Sequence, residues 1–80
     1  MTTYRIAIDP KIYGGKPCVK GTRIAVTMVL ELLEDGLTFD TIRKDYYPQL
    51  TIEDIKACLE YAKAMIESED IHFVEAPLPV

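Results

Sequence analysis

Eighty residues, 49% hydrophobic and 28% charged, describe a globular chain that is too apolar for a disordered tail and too short for more than one domain. A chain of this size hides only about 60% of its unfolded surface, so self-association to a homodimer is expected to add burial. The net charge of −4 conceals a division: residues 1–26 carry Arg5, Lys11, Lys16, Lys20 and Arg23 against Asp9 alone, whereas residues 27–80 carry four basic groups against twelve acids, so a polyanion is attracted only to the first third.

In chain order, Tyr4, Ile6 and Ile8 alternate with Arg5, Ala7 and Asp9, the period of a short strand with one buried face. Asp9-Pro10 turns the chain. Ile12-Tyr13 and Cys18-Val19 read as further short extended pieces, each bounded closely by glycine or proline. A lone strand needs a partner, which is either the C-terminal tail or the same strand in a second copy. The stretch from Gly14 to Val26 holds three of the four glycines and three of the nine basic side chains, and forms a shaped, basic arm ahead of the first helix.

Three helices follow. Thr27 is placed to cap the first, about residues 28–35, which buries Met28, Val29, Leu32 and Leu33 and stops at a left-handed Gly36, with Leu37 touching Leu32. Thr38 caps the second, about 39–46, with Phe39, Ile42 and Tyr46 on its apolar face and Leu37 stapled to Ile42. Pro48 ends it. Thr51-Ile52-Glu53-Asp54 opens the third, about 52–66, with Leu50 and Ile55 as a second staple and an apolar stripe of Ile52, Ile55, Leu59, Ala62 and Ile66. That stripe is expected to be the base of the core. Residues 67–80 form a C-terminal tail in which Ile71-His72-Phe73-Val74-Glu75 reads as a short strand.

The fold class is therefore mainly α: a three-helix body (27–66) behind a short N-terminal strand and glycine-rich arm (1–26), in a single domain over 1–80. Met1-Thr2-Thr3-Tyr4 lacks the features of a signal peptide and no apolar run approaches a membrane span, so the chain is expected to be cytoplasmic, with no membrane partner. Two cysteines are too few for a disulfide framework, and both are expected as reduced thiols, Cys58 in the core.

Chemistry is thinly represented. Lys20-Gly21-Thr22 reverses the lysine order of a phosphate-binding P-loop. Cys18 has basic neighbours in Lys16 and Lys20 but no base, because His72 is the only histidine. Two cysteines and one histidine do not make zinc-ligand spacing. The chain reads as a non-enzyme without cofactor or metal.

Helix, Gly36 turn, helix, Pro48 turn, helix is the order of homeodomain-like and helix-turn-helix modules, and equally of bundles that touch no nucleic acid. Glu53, Asp54, Glu60 and Glu67 outnumber Lys56 and Lys63 on the third helix, which argues against it as a groove reader. The second is better placed, with Thr41, Arg43 and Lys44 off its apolar face.

Ile8-Asp9-Pro10, Gly14-Gly15-Lys16-Pro17, Lys20-Gly21-Thr22-Arg23-Ile24-Ala25-Val26, Leu33-Glu34-Asp35-Gly36-Leu37 and Tyr47-Pro48-Gln49-Leu50-Thr51-Ile52-Glu53-Asp54-Ile55, with Ala57 and Tyr61-Ala62, make a combination that resembles the small bacterial domain-of-unknown-function family four-three-three. The likeness runs from about Ile6 to Ile66. It implies a homeodomain-like three-helix fold and the role of a VapB-type antitoxin, a homodimer that binds a PIN-like ribonuclease toxin and operator DNA. On that reading Lys16, Lys20 and Arg23 contact phosphates, Thr41, Arg43 and Lys44 are presented by the second helix, and Ile71, Phe73 and Val74 of the tail dock on the toxin. The alternative is a homodimeric interaction module that touches no nucleic acid, in which Arg23 is held in an ion pair.

Overall fold

The computed structural model describes residues 4–68, and the chain in that range is mostly helical, with three helices behind a short antiparallel sheet. Strand β1 (Ile6–Ile8) pairs with β2 (Pro17–Val19), setting Ile6 opposite Val19, Ala7 opposite Cys18 and Ile8 opposite Pro17. Pro17 has no N–H to give a ladder and stands at the first position of its strand, where none is needed. The other edge of β2 is also occupied: Cys18 bridges Ala25, and the Val19 N–H donates to the Ile24 carbonyl at 2.9 Å.

Among the described residues the partner of β1 is therefore the Cys18-Val19 piece of the same chain. Close turns make this pairing local. The Ile12 N–H donates to the Asp9 carbonyl at 2.8 Å and the Gly15 N–H to the Ile12 carbonyl at 3.0 Å, and Tyr13, Gly14 and Gly15 are all left-handed, with φ of 50°, 65° and 94°. The expected buried face of β1 is only partly realised. Ile6 packs on the core, while Tyr4 and Ile8 stay exposed, because the helices back only the Ile6–Val19 end of the ribbon.

Helix α1 (Val26–Glu34) starts two residues earlier than expected, with Ala25 instead of Thr27 at its N-cap. Ala25 is still extended and bridged to Cys18, so the chain passes from sheet to helix without a spacer. Alanine has no capping oxygen; the Met28 Sδ accepts from the Ala25 N–H at 3.3 Å. Val26 and Val29 are buried, and Leu30, Leu32 and Leu33 pack at the margin of the core. At the other end the Leu37 N–H donates to the Leu32 carbonyl (3.1 Å) and the Gly36 N–H to the Leu33 carbonyl (3.0 Å), with Gly36 at φ +91°. This is the expected Schellman stop.

Thr38 caps the next helix, its Oγ1 accepting from the Thr41 N–H at 3.1 Å. Helix α2 (Phe39–Thr41) is a single α-turn and continues as a π-turn over Ile42–Tyr46, closed by the Tyr47 N–H on the Ile42 carbonyl at 2.8 Å. The extra residue in that wider turn changes which tyrosine faces inward. Tyr47 packs on the core and Tyr46, expected there from α-helical spacing, is half exposed.

Helix α3 (Ile52–Ser68) opens with the expected reciprocal cap: the Thr51 N–H donates to Asp54 Oδ2 (2.9 Å) and the Asp54 N–H to Thr51 Oγ1 (3.1 Å). Asp54 also accepts from Arg5 at 3.0 Å through Oδ1, tying α3 to the start of β1. The core comprises Val19, Ile24, Val26, Val29, Ile42, Leu50, Ile55 and Cys58. The apolar stripe of α3 is not its base. Ile55 and Cys58 are fully buried, but Leu59 is 40% and Ile66 65% exposed. Seventeen residues make a helix about 25 Å long, and the shorter elements packed on it cover mainly its first turns.

Candidate functional site

The basic arm is built around a tight turn between β2 and the Ile24–Ala25 segment. Thr22 fixes it from three directions: its N–H and its Oγ1 both donate to the Val19 carbonyl (3.0 and 2.8 Å), and the same Oγ1 accepts from the Ile24 N–H at 3.0 Å. Gly21 takes φ +81°, a conformation that a side chain would disfavour. Flanking this turn, Lys20 and Arg23 are both exposed, and Arg23 has no ion pair among the described residues. The Lys20 N–H donates to the Arg5 carbonyl at 2.7 Å, so the pairing with the N-terminal segment carries on past Val19.

Lys16 leaves the left-handed turn at the opposite end of β2, about 13 Å from Lys20 at strand spacing. Tyr13, a non-glycine residue in the left-handed region, is strained there, and no feature of the sequence beyond the two following glycines signals it. Ala7, Cys18 and Ala25, paired side by side across β1, β2 and the bridged Ile24–Ala25 segment, share the face turned away from Ile6 and Val19. Two open concavities adjoin that row. One, of about 390 Å³, is lined by Asp9, Ile12, Cys18, Thr22 and Arg23 among others. The other, of about 380 Å³, is lined by Tyr13, Lys16, Ala25, Thr27 and Met28.

The second group of expected site residues has a different setting. Lys44 is exposed. Arg43 is half buried and donates from Nε to the Leu50 carbonyl at 3.0 Å, joining the π-turn to the residue before the α3 cap. Thr41 accepts from the Thr38 hydroxyl at 3.1 Å as part of the helix start. The structure thus brings Lys20 and Arg23 onto one turn, sets Lys16 at the far end of the same strand, and gives Arg43 a structural bond. Ile71, Phe73 and Val74 lie outside the described residues.

The thiols have buried settings. Cys18 donates to the Lys16 carbonyl at 3.4 Å. Burial, reinforced by the Asp54 charge, pushes the Cys58 thiol up to about 12. Among the described residues no three His, Cys, Asp or Glu side chains come together as a metal cage, and no helix is long and apolar enough to cross a membrane. The ion pair in this region belongs to Arg5, a residue the sequence places only in an alternating strand. Its pairing with Asp54, 49 positions away, leaves no local signal.

The family described as "Protein of unknown function (DUF433)" matches the chain over residues 6–62. A crystal structure of a DUF433 member protein from Anabaena variabilis is 30% identical in sequence and superposes with a TM-score of 0.71, over 79% of this chain and 61% of that one. The chain thus spans less than two thirds of the length of that relative. No curated protein matches the chain.

Proposed function

The chain belongs to the DUF433 family of proteins of unknown function, and from that membership we propose that it is a non-catalytic, antitoxin-like protein that acts as a dimer, binding a PIN-like ribonuclease and operator DNA. The helical order, with a Schellman turn and then a proline break, supports a homeodomain-like arrangement. The observation that carries the DNA half is the Lys20–Arg23 turn: an exposed guanidinium with no acid partner among the described residues, next to a second cation, on a backbone held by three hydrogen bonds of Thr22. Such groups contact phosphates and position a protein on a duplex.

Gel-shift titration of the full chain against its own upstream DNA, at 50 and 200 mM salt, tests this. Affinity is expected to fall with salt, and Arg23→Ala is expected to lower the slope of log K against log salt by about one. Absence of salt-dependent binding removes the DNA half. For the toxin half, co-expression with the adjacent reading frame is expected to yield a stable complex; a neighbour that encodes no PIN-like protein removes it.

A competing reading, a homodimeric interaction module without nucleic acid, is favoured by two observations. Arg43 spends its Nε on Leu50, and the outer residues Glu53, Glu60 and Glu67 of α3 are exposed acids. Under it the concavity beside Arg23 accepts a protein side chain.

A further inference from the structure

The apolar positions of α3 exceed what its own core uses. Ile52, Ile55, Leu59, Ala62 and Ile66 alternate at spacings of three and four, the pattern of a helix-packing seam. Yet the side buried against the rest of the chain runs through Ile55, Cys58 and Tyr61. At 3.6 residues per turn the line Ile52–Leu59–Ile66 lies roughly 100° round the helix from the centre of that side. Among the described residues the seam is therefore left open, with Leu59 40% and Ile66 65% exposed and Ile52 and Ala62 half covered.

Alongside the open seam runs a row of four exposed charges, Lys56, Glu60, Lys63 and Glu67. Spacings of three and four allow them to pair with one another along the helix, but none is ion-paired among the described residues, where the one salt bridge is Arg5–Asp54. Read in opposite directions, the row is its own complement. Lys56 meets Glu67 and Glu60 meets Lys63, each pair twice, when a second copy lies antiparallel. In a parallel pair Lys56 and Lys63 would instead face the other flank of the partner's seam, the one that holds Cys58 and already packs on the core.

We propose that a second copy of this chain packs on the Leu59–Ala62–Ile66 seam of α3, antiparallel and two-fold symmetric, with the Lys56–Glu67 and Glu60–Lys63 pairs fixing its direction. A two-fold contact must be self-complementary, and this face is so in both shape class and charge. The interface deepens the dimer in the reading above and does not depend on strand pairing through β1, which has a partner within the chain along one edge.

The test is the mass of the full chain by light scattering and its dissociation constant by sedimentation equilibrium. The wild type is expected at twice 9.1 kDa. Leu59→Glu combined with Ile66→Glu is expected to run as a monomer with an unchanged helical circular dichroism spectrum, because both side chains already face solvent. Lys63→Glu places like charges opposite one another and is expected to weaken the dimer roughly threefold to tenfold; adding Glu60→Lys restores the pairs and the affinity. A wild type that is monomeric at 100 µM, a dimer that survives the two glutamates, or a double charge swap weaker than the single one would each overturn the proposal. Gel shift and toxin co-purification are scored separately, so loss of those activities with an intact dimer counts against the function and leaves the interface standing.

Discussion

Replacing Asp54 by alanine removes both oxygens that close the start of α3: Oδ2, which holds the Thr51 N–H at 2.9 Å, and Oδ1, which holds Arg5 at 3.0 Å. Loss of the capping arm costs about 1 kcal/mol. Arg5 is a third exposed, and solvent screening makes its contribution minor. For a domain of this size, 1 kcal/mol corresponds to a fall in Tm of about 4–8 °C. Burial alone would raise the Asp54 carboxyl, but the hydrogen bonds from the Thr51 N–H, the Arg5 guanidinium and the Thr51 hydroxyl hold it net below its usual value. A group depressed in the folded state contributes stability above its unfolded value of about 3.9 and loses it as pH falls through the folded value. The Asp54→Ala deficit, followed by thermal circular dichroism, is therefore expected in full at pH 7 and smaller at pH 2. Equal deficits at both pH values, or a change under 1 °C at pH 7, would refute the reasoning.

Gly36→Ala is expected to destabilise by about 1–2 kcal/mol in urea unfolding, wholly through the backbone, because φ is +91° and a Cβ there would meet nothing within 4 Å. Gly36→Asn should cost less, and an alanine variant as stable as wild type would count against the left-handed stop. Ile55→Ala is expected to cost about 2–5 kcal/mol and Ile8→Ala under about 1 kcal/mol, since one side chain is fully buried and the other 59% exposed; comparable losses at the two sites would contradict the placement of the core. With its pKa pushed up to about 12 by burial, the Cys58 thiol should resist alkylation at pH 8 until the chain unfolds. Rapid labelling of Cys58 in the native protein would show that the site opens.

The helix starts and stops were legible because each is written in adjacent residues. Gly36 followed by Leu37 specifies a Schellman stop, and Thr51 with Asp54 specifies a reciprocal cap, without reference to the rest of the chain. The start of α1 was not, since Ala25 has no capping group and becomes an N-cap only because its pairing with Cys18 delivers it in extended geometry. Tyr46 and Tyr47 exchange places for a similar reason: Pro48 announces an end, but the residue added by the π-turn is set by the bond from Tyr47 to Ile42 and the burial of Ile42. On α3 the periodicity marks an apolar stripe of which the chain's own core takes Ile55 and leaves Leu59 and Ile66 exposed, because periodicity reports that a face is apolar and not what covers it. For the candidate site, Gly21-Thr22-Arg23 signalled a shaped basic turn, whereas the meeting of Asp9, Ile12 and Arg23 around one concavity depends on how the loop over 9–16 folds back.

The central position of β2 also orders events in time. Both of its partners are near in sequence, β1 a few residues upstream and Ile24–Ala25 a few downstream, so the sheet forms by short loop closures. The long closure is the one that brings Asp54 to Arg5 across 49 positions, and it must wait for α3. Contacts within the sheet should then be made early in folding and the α3 docking contacts late. In a chevron, Gly21→Ala would slow refolding while Asp54→Ala would chiefly speed unfolding. A chain emerging from the ribosome could thus form its basic turn before its last helix exists, and the seam on α3 would be the final surface to appear.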